Sequence, residues 1–132
     1  EVEELRACFP RNHFDVVHMR NALDHTMDPV VGLEQMLEVV RPGGRVLLRH
    51  AINEGLPGQF QFGLHQWSFD ATRRASTPHF VIWNPMLRVD VTKSLLERGL
   101  AEQVITELRP HPEDKDGKEM AYIFVDIQKP PR

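Results

Sequence analysis

Two apolar segments on either side of an amphipathic pattern limit what the first part of this chain can form. Residues 14–19 (FDVVHM) are typical of a strand buried on both faces of a parallel sheet. The pair at 28–29 (DP) predicts a helix start, and apolar residues recur at helical spacing through 30–40. The RPGG segment at 41–44 predicts the end of that helix, before a second strand at about 45–50. This order predicts a βαβ unit whose strands are parallel, with a right-handed crossover.

The remaining residues predict a long loop, a helix and a closing hairpin. Residues 51–70 mix Gly55, Gly58 and Gly63 with aromatic anchors such as Phe62 and lack a clean period, which favours a binding loop or lid. We expect a short strand at 80–83, followed by a helix that Asp90 caps and Gly99 ends. Segments 103–108 and 120–128 read as an antiparallel pair joined by 109–119, and 129–132 reads as a tail.

Composition indicates one soluble globular domain over residues 1–132. The chain is 41% hydrophobic and 27% charged, so it can bury a core, and its net charge of −3 argues against nucleic-acid binding. A single cysteine and the lack of a membrane-length apolar run favour a cytoplasmic protein that does not enter the membrane. The chain starts without Met or an apolar leader, so we expect no signal peptide and an upstream part of the protein.

Two stretches of the sequence resemble class I S-adenosylmethionine-dependent methyltransferases of the methyltransferase type 11 kind. Residues 14–17 (FDVV) with 21–25 (NALDH) resemble the family's fourth strand and the loop after it, and 37–48 (LEVVRPGGRVLL) resembles its helix, turn and fifth strand. The later elements extend the resemblance to nearly the whole chain. The resemblance implies an α/β fold, a partial Rossmann-like sheet with strands 4-5-7-6 and a closing antiparallel hairpin. The family's N-terminal glycine-rich half has no counterpart here, since no G-x-G-x-x-G motif follows a first strand.

The resemblance also implies S-adenosylmethionine as cofactor and places residues near it. Glu1 and Val2 resemble the acidic segment that reaches toward the adenine, and Arg20 and Asn21 belong to the loop beside the cofactor. Ligands of open α/β sheets lie beyond the carboxyl ends of the strands, where the loops 20–27 and 51–70 begin. A structural alternative is that Asn21 and Asp24 only organise a turn.

Histidines of the same two loops are the candidate catalytic residues. His25 and His65 can take a proton near neutral pH, and Asn53 and Trp67 are candidates for binding the substrate. The alternatives are that His25 is a packed core histidine and that the aromatic residues anchor a surface loop. The seven histidines include no H-x-x-x-H pair and one cysteine offers no sulfur site, so we expect no metal.

The sequence therefore predicts the C-terminal portion of a methyltransferase that acts on a small-molecule acceptor, inactive as this chain alone. The alternative is a non-catalytic or split scaffold that binds a partner subunit. In either case the strand at 14–19 should lie at an open sheet edge, because the family's first strand would pair there. An apolar edge without proline or lysine favours a homodimer or a partner chain at that strand.

Overall fold

The computed structural model describes residues 1–57, 59–61, 65–73, 76–110 and 121–132. Two 3₁₀ turns, Val2–Glu4 and Leu23–His25, accompany the helices and strands. The helices and strands are α1 (Leu5–Cys8), β1 (Phe14–Arg20), α2 (Pro29–Val39), β2 (Val40–Ala51), β3 (Ser68–Ala71), β4 (Phe80–Asn84), β5 (Leu87–Asp90), α3 (Val91–Glu97), β6 (Gln103–Pro110) and β7 (Ala121–Gln128). None of the described helices is long and apolar enough to cross a bilayer.

The main sheet has the strand order expected from the resemblance. Its order is β1-β2-β7-β6, which corresponds to 4-5-7-6 in the family's numbering. β1 and β2 are parallel, whereas β7 runs antiparallel to both β2 and β6. The α/β class, the βαβ unit and the closing hairpin are thereby confirmed, and β1 lies at an edge of the sheet. The predicted connection at 109–119 and the strand start at Met120 fall almost entirely outside the described residues.

Helix α2 begins and packs as its sequence predicts. Asp28 caps it, since one carboxylate oxygen accepts hydrogen bonds from the backbone N–H groups of Val30 and Val31 at 3.1 Å each. Its inward face buries Leu33 and Met36 completely against the sheet. This apolar face supplies most of the helix's stability, because an isolated helix of 11 residues is marginal in water.

The RPGG segment differs from the prediction, because it lies within β2 rather than between helix and strand. The helix ends at Val39 and β2 begins at Val40. The register with β1 shifts there, with Phe14 opposite Val40 but Val16 opposite Arg45. The segment is therefore an irregularity of the strand, built on the positive φ of +74° at Gly43.

A second sheet of three antiparallel strands was not predicted. Its order is β3-β4-β5. The expected loop at 51–70 ends in β3, while Gly58, Phe62, Gly63 and Leu64 lie outside the described residues. The strand expected at 80–83 is confirmed as β4, but the chain turns back after it. Asn84 makes that turn by accepting hydrogen bonds from the backbone N–H groups of Met86 and Leu87 at 2.9 and 3.0 Å. The exposed, short β5 carries too weak a pattern to be recognised in sequence.

The C-terminal residues are not the free tail that the sequence suggested. The Lys129 ammonium donates hydrogen bonds to the carbonyls of Leu37 and Val40 at 2.7 and 2.8 Å, and to Asn12 Oδ1 at 2.9 Å. A cation at the end of α2 satisfies carbonyls that the helix leaves unpaired. The end of the hairpin is thereby fixed to the βαβ unit.

We expect Gly44→Ala to destabilise the chain by about 2–3 kcal/mol. A Cβ at Gly44 would lie 2.5 Å from Val40 Cγ1 and 2.7 Å from the carbonyl oxygen of Asp15, and the second of these is backbone that cannot rotate away. Urea unfolding measures the change. Gly99→Ala is the matched control, since Gly99 has a φ of +66° with no atom near its Cβ, and should cost only about 1 kcal/mol. Equal losses in the two variants would contradict the close approach at Gly44.

Candidate functional site

The candidate site lies where β1 and β2 end side by side. Because these strands are parallel, Arg20 is paired with Arg49 and the loops that follow both strands leave the same edge of the sheet. Asn21 joins the two strand ends, with its backbone N–H donated to Arg49 and its Oδ1 accepting from the backbone N–H of Ala51 at 3.1 Å. Its positive φ of 48° suits asparagine in a tight turn.

A buried histidine holds the loop after β1 against β2. Nε2 of His50 accepts hydrogen bonds from the backbone N–H groups of Ala22 and Leu23 at 3.2 and 3.1 Å. His50 is 1% exposed, and its burial lowers the pKa from 6.5 to about 4, so the ring is neutral and Nε2 is free to accept. His50 was not among the site residues predicted from the sequence. Its burial could have been inferred from the alternation of buried and less buried residues along β2, where Val46, Leu48 and His50 share the buried face.

Two histidines and two carboxylates meet beside this loop. Nδ1 of His65 lies 2.5 Å from Asp24 Oδ2, and its Nε2 lies 3.0 Å from Glu54 Oε2. Nε2 of His25 lies 3.2 Å from His65 Nδ1 and 3.8 Å from Asp24 Oδ1. We call these four residues the Asp–His cluster.

Exposure differs sharply within the Asp–His cluster. The Asp24 side chain is 7% exposed, whereas the rings of His25 and His65 are 31% and 37% exposed. Asp24 Oδ1 is buried and has no hydrogen-bond partner among the described residues. The cluster therefore combines a fixed, buried carboxylate with two rings that solvent or a ligand can reach. His25 is not the packed core histidine of the alternative reading.

A cavity of about 310 Å³ lies against the cluster. Its lining includes the predicted residues Glu1, Val2 and His25, together with Met19 and Met27. The structure thus brings three of the predicted site residues to one place. Arg20 and Asn21 lie at the same sheet edge but do not line this cavity.

The two predicted substrate-binding residues make internal contacts. The Asn53 amide donates to Asp70 Oδ2 at 3.3 Å and accepts at Oδ1 from the Trp83 indole N–H at 3.2 Å. The Trp67 indole donates to the backbone carbonyl of Met27 at 3.3 Å and so links the second loop to the first. These contacts give both residues a positioning role, and their proposed contact with a substrate stays a prediction.

Comparisons with known proteins agree with the fold and the resemblance. Residues 1–48 match the family model described as a methyltransferase domain. Over 43 residues the chain is 42% identical to an uncharacterized methyltransferase of Schizosaccharomyces pombe, a match that covers 33% of this chain and 16% of that protein.

Two solved structures share the fold at low identity. The CurJ carbon methyltransferase is 21% identical with a TM-score of 0.59, and the match covers 98% of this chain and 34% of that one. The phosphoethanolamine N-methyltransferase 2 of Haemonchus contortus, in complex with phosphomonomethylethanolamine and S-adenosylhomocysteine, is 12% identical with a TM-score of 0.57. This second match covers 92% of this chain and 35% of that one. The chain therefore spans about a third of these enzymes' length.

The chain has an α/β fold with a methyltransferase-like sheet. This follows from the strand order, from the site at the strand ends and from these matches. Over residues 1–48 the chain is similar to the methyltransferase domain family, and its described residues have the fold of methyltransferases of known structure.

We expect the stability of the chain to fall below pH 6.5 because of His50. The folded chain binds fewer protons than the unfolded chain between pH 6.5 and about 4, since burial lowers the pKa of His50. The stabilisation is complete above pH 6.5 and decreases as the pH falls, by about 3 kcal/mol in all. Urea unfolding with EDTA at about pH 7 and about pH 4.5 measures the loss. His50→Gln keeps an acceptor but does not titrate, so its loss should be smaller; an equal loss would contradict this assignment.

Proposed function

We propose that the polypeptide containing this chain transfers a methyl group from S-adenosylmethionine to an oxygen or nitrogen of a small-molecule acceptor. The observation that carries the proposal is the contact between His25, which lines the cavity, and the Asp24–His65 pair behind it. A cavity beside a positioned base is what an acceptor with a removable proton requires. The methyltransferase-domain match over residues 1–48 supports the reaction type.

The residues of the cavity fit one side of the cofactor. Val2, Met19 and Met27 offer apolar contacts to a flat ring, and the Glu1 carboxylate can accept hydrogen bonds. The volume of about 310 Å³ is near the lower end of ligand pockets, and the glycine-rich loop that would form the other wall is not in this chain. Tight binding of the cofactor therefore needs residues beyond these 132.

The hydrogen bonds of the cluster favour His25 as the residue that accepts the proton. If His65 Nδ1 donates to Asp24 Oδ2, then the facing Nε2 of His25 must be unprotonated, since two N–H groups cannot point at each other. Nε2 of His25 then carries a lone pair that can take the proton of the acceptor. The new N–H would turn from His65 Nδ1 toward Asp24 Oδ1, which lies 3.8 Å from Nε2 and has no hydrogen-bond partner among the described residues.

These residues need supply only orientation and proton transfer. S-adenosylmethionine, when bound, supplies an electrophilic methyl group. His25 removes the proton that would otherwise block attack, while His65 and Asp24 hold its ring in place. Such a base contributes about 10²–10⁴-fold to rate.

We expect His25→Gln, in a polypeptide that carries this chain and a glycine-rich loop, to lower kcat about 100-fold. The dissociation constant of the cofactor should change little, because the loss concerns proton transfer. His65→Gln should also lower kcat, whereas Asn21→Ala should weaken cofactor binding. Turnover assays measure kcat, and calorimetry measures the dissociation constant of the cofactor. His79→Gln is the control, since His79 pairs with Asp90 at 2.8 Å outside the site and its loss should change neither value. Normal kcat in both cluster variants with every acceptor tested would refute the role.

The alternative function, a scaffold that binds a partner subunit, is favoured by the free edge of β1. Within the described residues β1 pairs with β2 alone, and Val16 is 49% exposed. We propose that a second copy of this chain or a partner strand pairs with this edge, as open apolar edges tend to do.

Light scattering of the 132-residue chain should therefore give the mass of a dimer. Val16→Lys should give a monomer, because a charged side chain on an edge strand opposes pairing. Ile105→Lys on β6, at the opposite edge and 48% exposed, is the matched control and should leave the dimer intact. A wild-type monomer whose β1 amides exchange as slowly as the core would overturn the proposal.

A further inference from the structure

We propose that Asp24, His25 and His65 form a binding site for one divalent transition-metal ion of the Zn²⁺ class. One ligand-type atom from each of the three residues lies within 4.8 Å of the other two. Two imidazole nitrogens and one carboxylate oxygen are a ligand set that Zn²⁺ and its neighbours accept. No metal was predicted from the sequence, because its histidines include no H-x-x-x-H pair; the three residues come from two loops, and His25 and His65 are 40 positions apart.

The spacing of the ligand atoms is close to that of a tetrahedral site. Zn–N bonds of about 2.0–2.1 Å place neighbouring ligands about 3.3 Å apart. His25 Nε2 lies 3.2 Å from His65 Nδ1 and 3.8 Å from Asp24 Oδ1. His65 Nδ1 lies much closer, 2.5 Å, to the other oxygen of Asp24, Oδ2; this is the length of a hydrogen bond, which a cation bound at Nδ1 would replace.

Two further observations point to a ligand. Asp24 Oδ1 is buried on a side chain 7% exposed and has no hydrogen-bond partner in the described part of the chain. Leaving such an oxygen unpaired costs stability, and a cation among these atoms would compensate it.

The second observation is the carboxylate behind His65. When Nδ1 of His65 binds the metal, the ring proton resides on Nε2, which lies 3.0 Å from Glu54 Oε2. Metal-bound histidines usually donate their other N–H to such a carboxylate, which fixes the ring and increases its basicity. Glu54 is thus a positioning residue of the proposed site.

The proposed ion would keep a position open to the solvent. His25 and His65 are 31% and 37% exposed, and three protein ligands leave a fourth place for water or an acceptor. A metal and a proton would compete for Nε2 of His25. In the metal-bound protein, activation of the acceptor would pass from that nitrogen to the ion.

Titration of Co²⁺ into the 132-residue chain, followed by its visible absorption and by displacement with Zn²⁺, tests the inference. We expect one ion per chain with the intense absorption of a four- or five-coordinate site. His25→Gln should weaken binding at least about tenfold, as should Asp24→Asn. The partly exposed His25 is the safer variant, since its replacement should leave folding intact, which circular dichroism would verify.

Two more variants separate this site from binding by surface histidines. Glu54→Gln keeps all three ligands but should still weaken binding about tenfold. His79→Gln removes another Asp–His pair of similar exposure, 35%, and should bind as the wild type does. Weak binding that is equal in the wild type and in His25→Gln would overturn the inference, as would a loss of binding only in His79→Gln. The titration uses the metal alone, so its failure would leave the proposed methyl transfer standing.

Discussion

The parallel pairing of β1 with β2 brings two loops, separated in sequence, to one edge of the sheet. Parallel strands need a crossover, and α2 supplies it with its capped start and its apolar face. His50, on β2, then fixes the position of the loop that follows β1. Its ring accepts hydrogen bonds from both N–H groups at the start of the 3₁₀ turn at Leu23–His25. Asp24 and His25 lie in that turn, so the ring of His50 positions the two members of the Asp–His cluster that the loop after β1 supplies.

The composition of the Asp–His cluster explains why either a proton or a metal ion could bind there. A buried carboxylate, one of whose oxygens has no hydrogen-bond partner among the described residues, lies beside two imidazole rings, and these groups together offer several ligand atoms within a few ångströms. A proton can share that space, and so can a metal ion. The two proposals differ in what occupies the same atoms, and the exposed ring edges allow exchange with solvent.

Much of this arrangement could be predicted from the sequence. The features that were not predicted each have a physical reason. The βαβ unit follows from local signals such as Asp28 at the helix start. The bulge at Gly43 and Gly44 was predicted to be a turn. Glycine indicates a positive φ or a close contact between backbone segments, but it does not indicate whether a strand continues through those residues. The meeting of Asp24 with His65 depends on how a long loop folds back, for which short-range patterns carry no information. For the same reason the second sheet was missed, since its strands are only four or five residues long.

The ammonium of Lys129 has a consequence for how the chain tolerates changes at its end. The last residues lie across the C-terminus of α2, where the carbonyls of Leu37 and Val40 both accept a hydrogen bond from that one side chain. Acetylation of this lysine would remove the charge and leave those carbonyls weakly paired. The pairing of β7 with β2 would persist, so the loss would be confined to the packing of the chain end against α2. A single modification beyond the last strand would thus weaken the contact between the end of β7 and the C-terminus of α2 without disrupting the sheet.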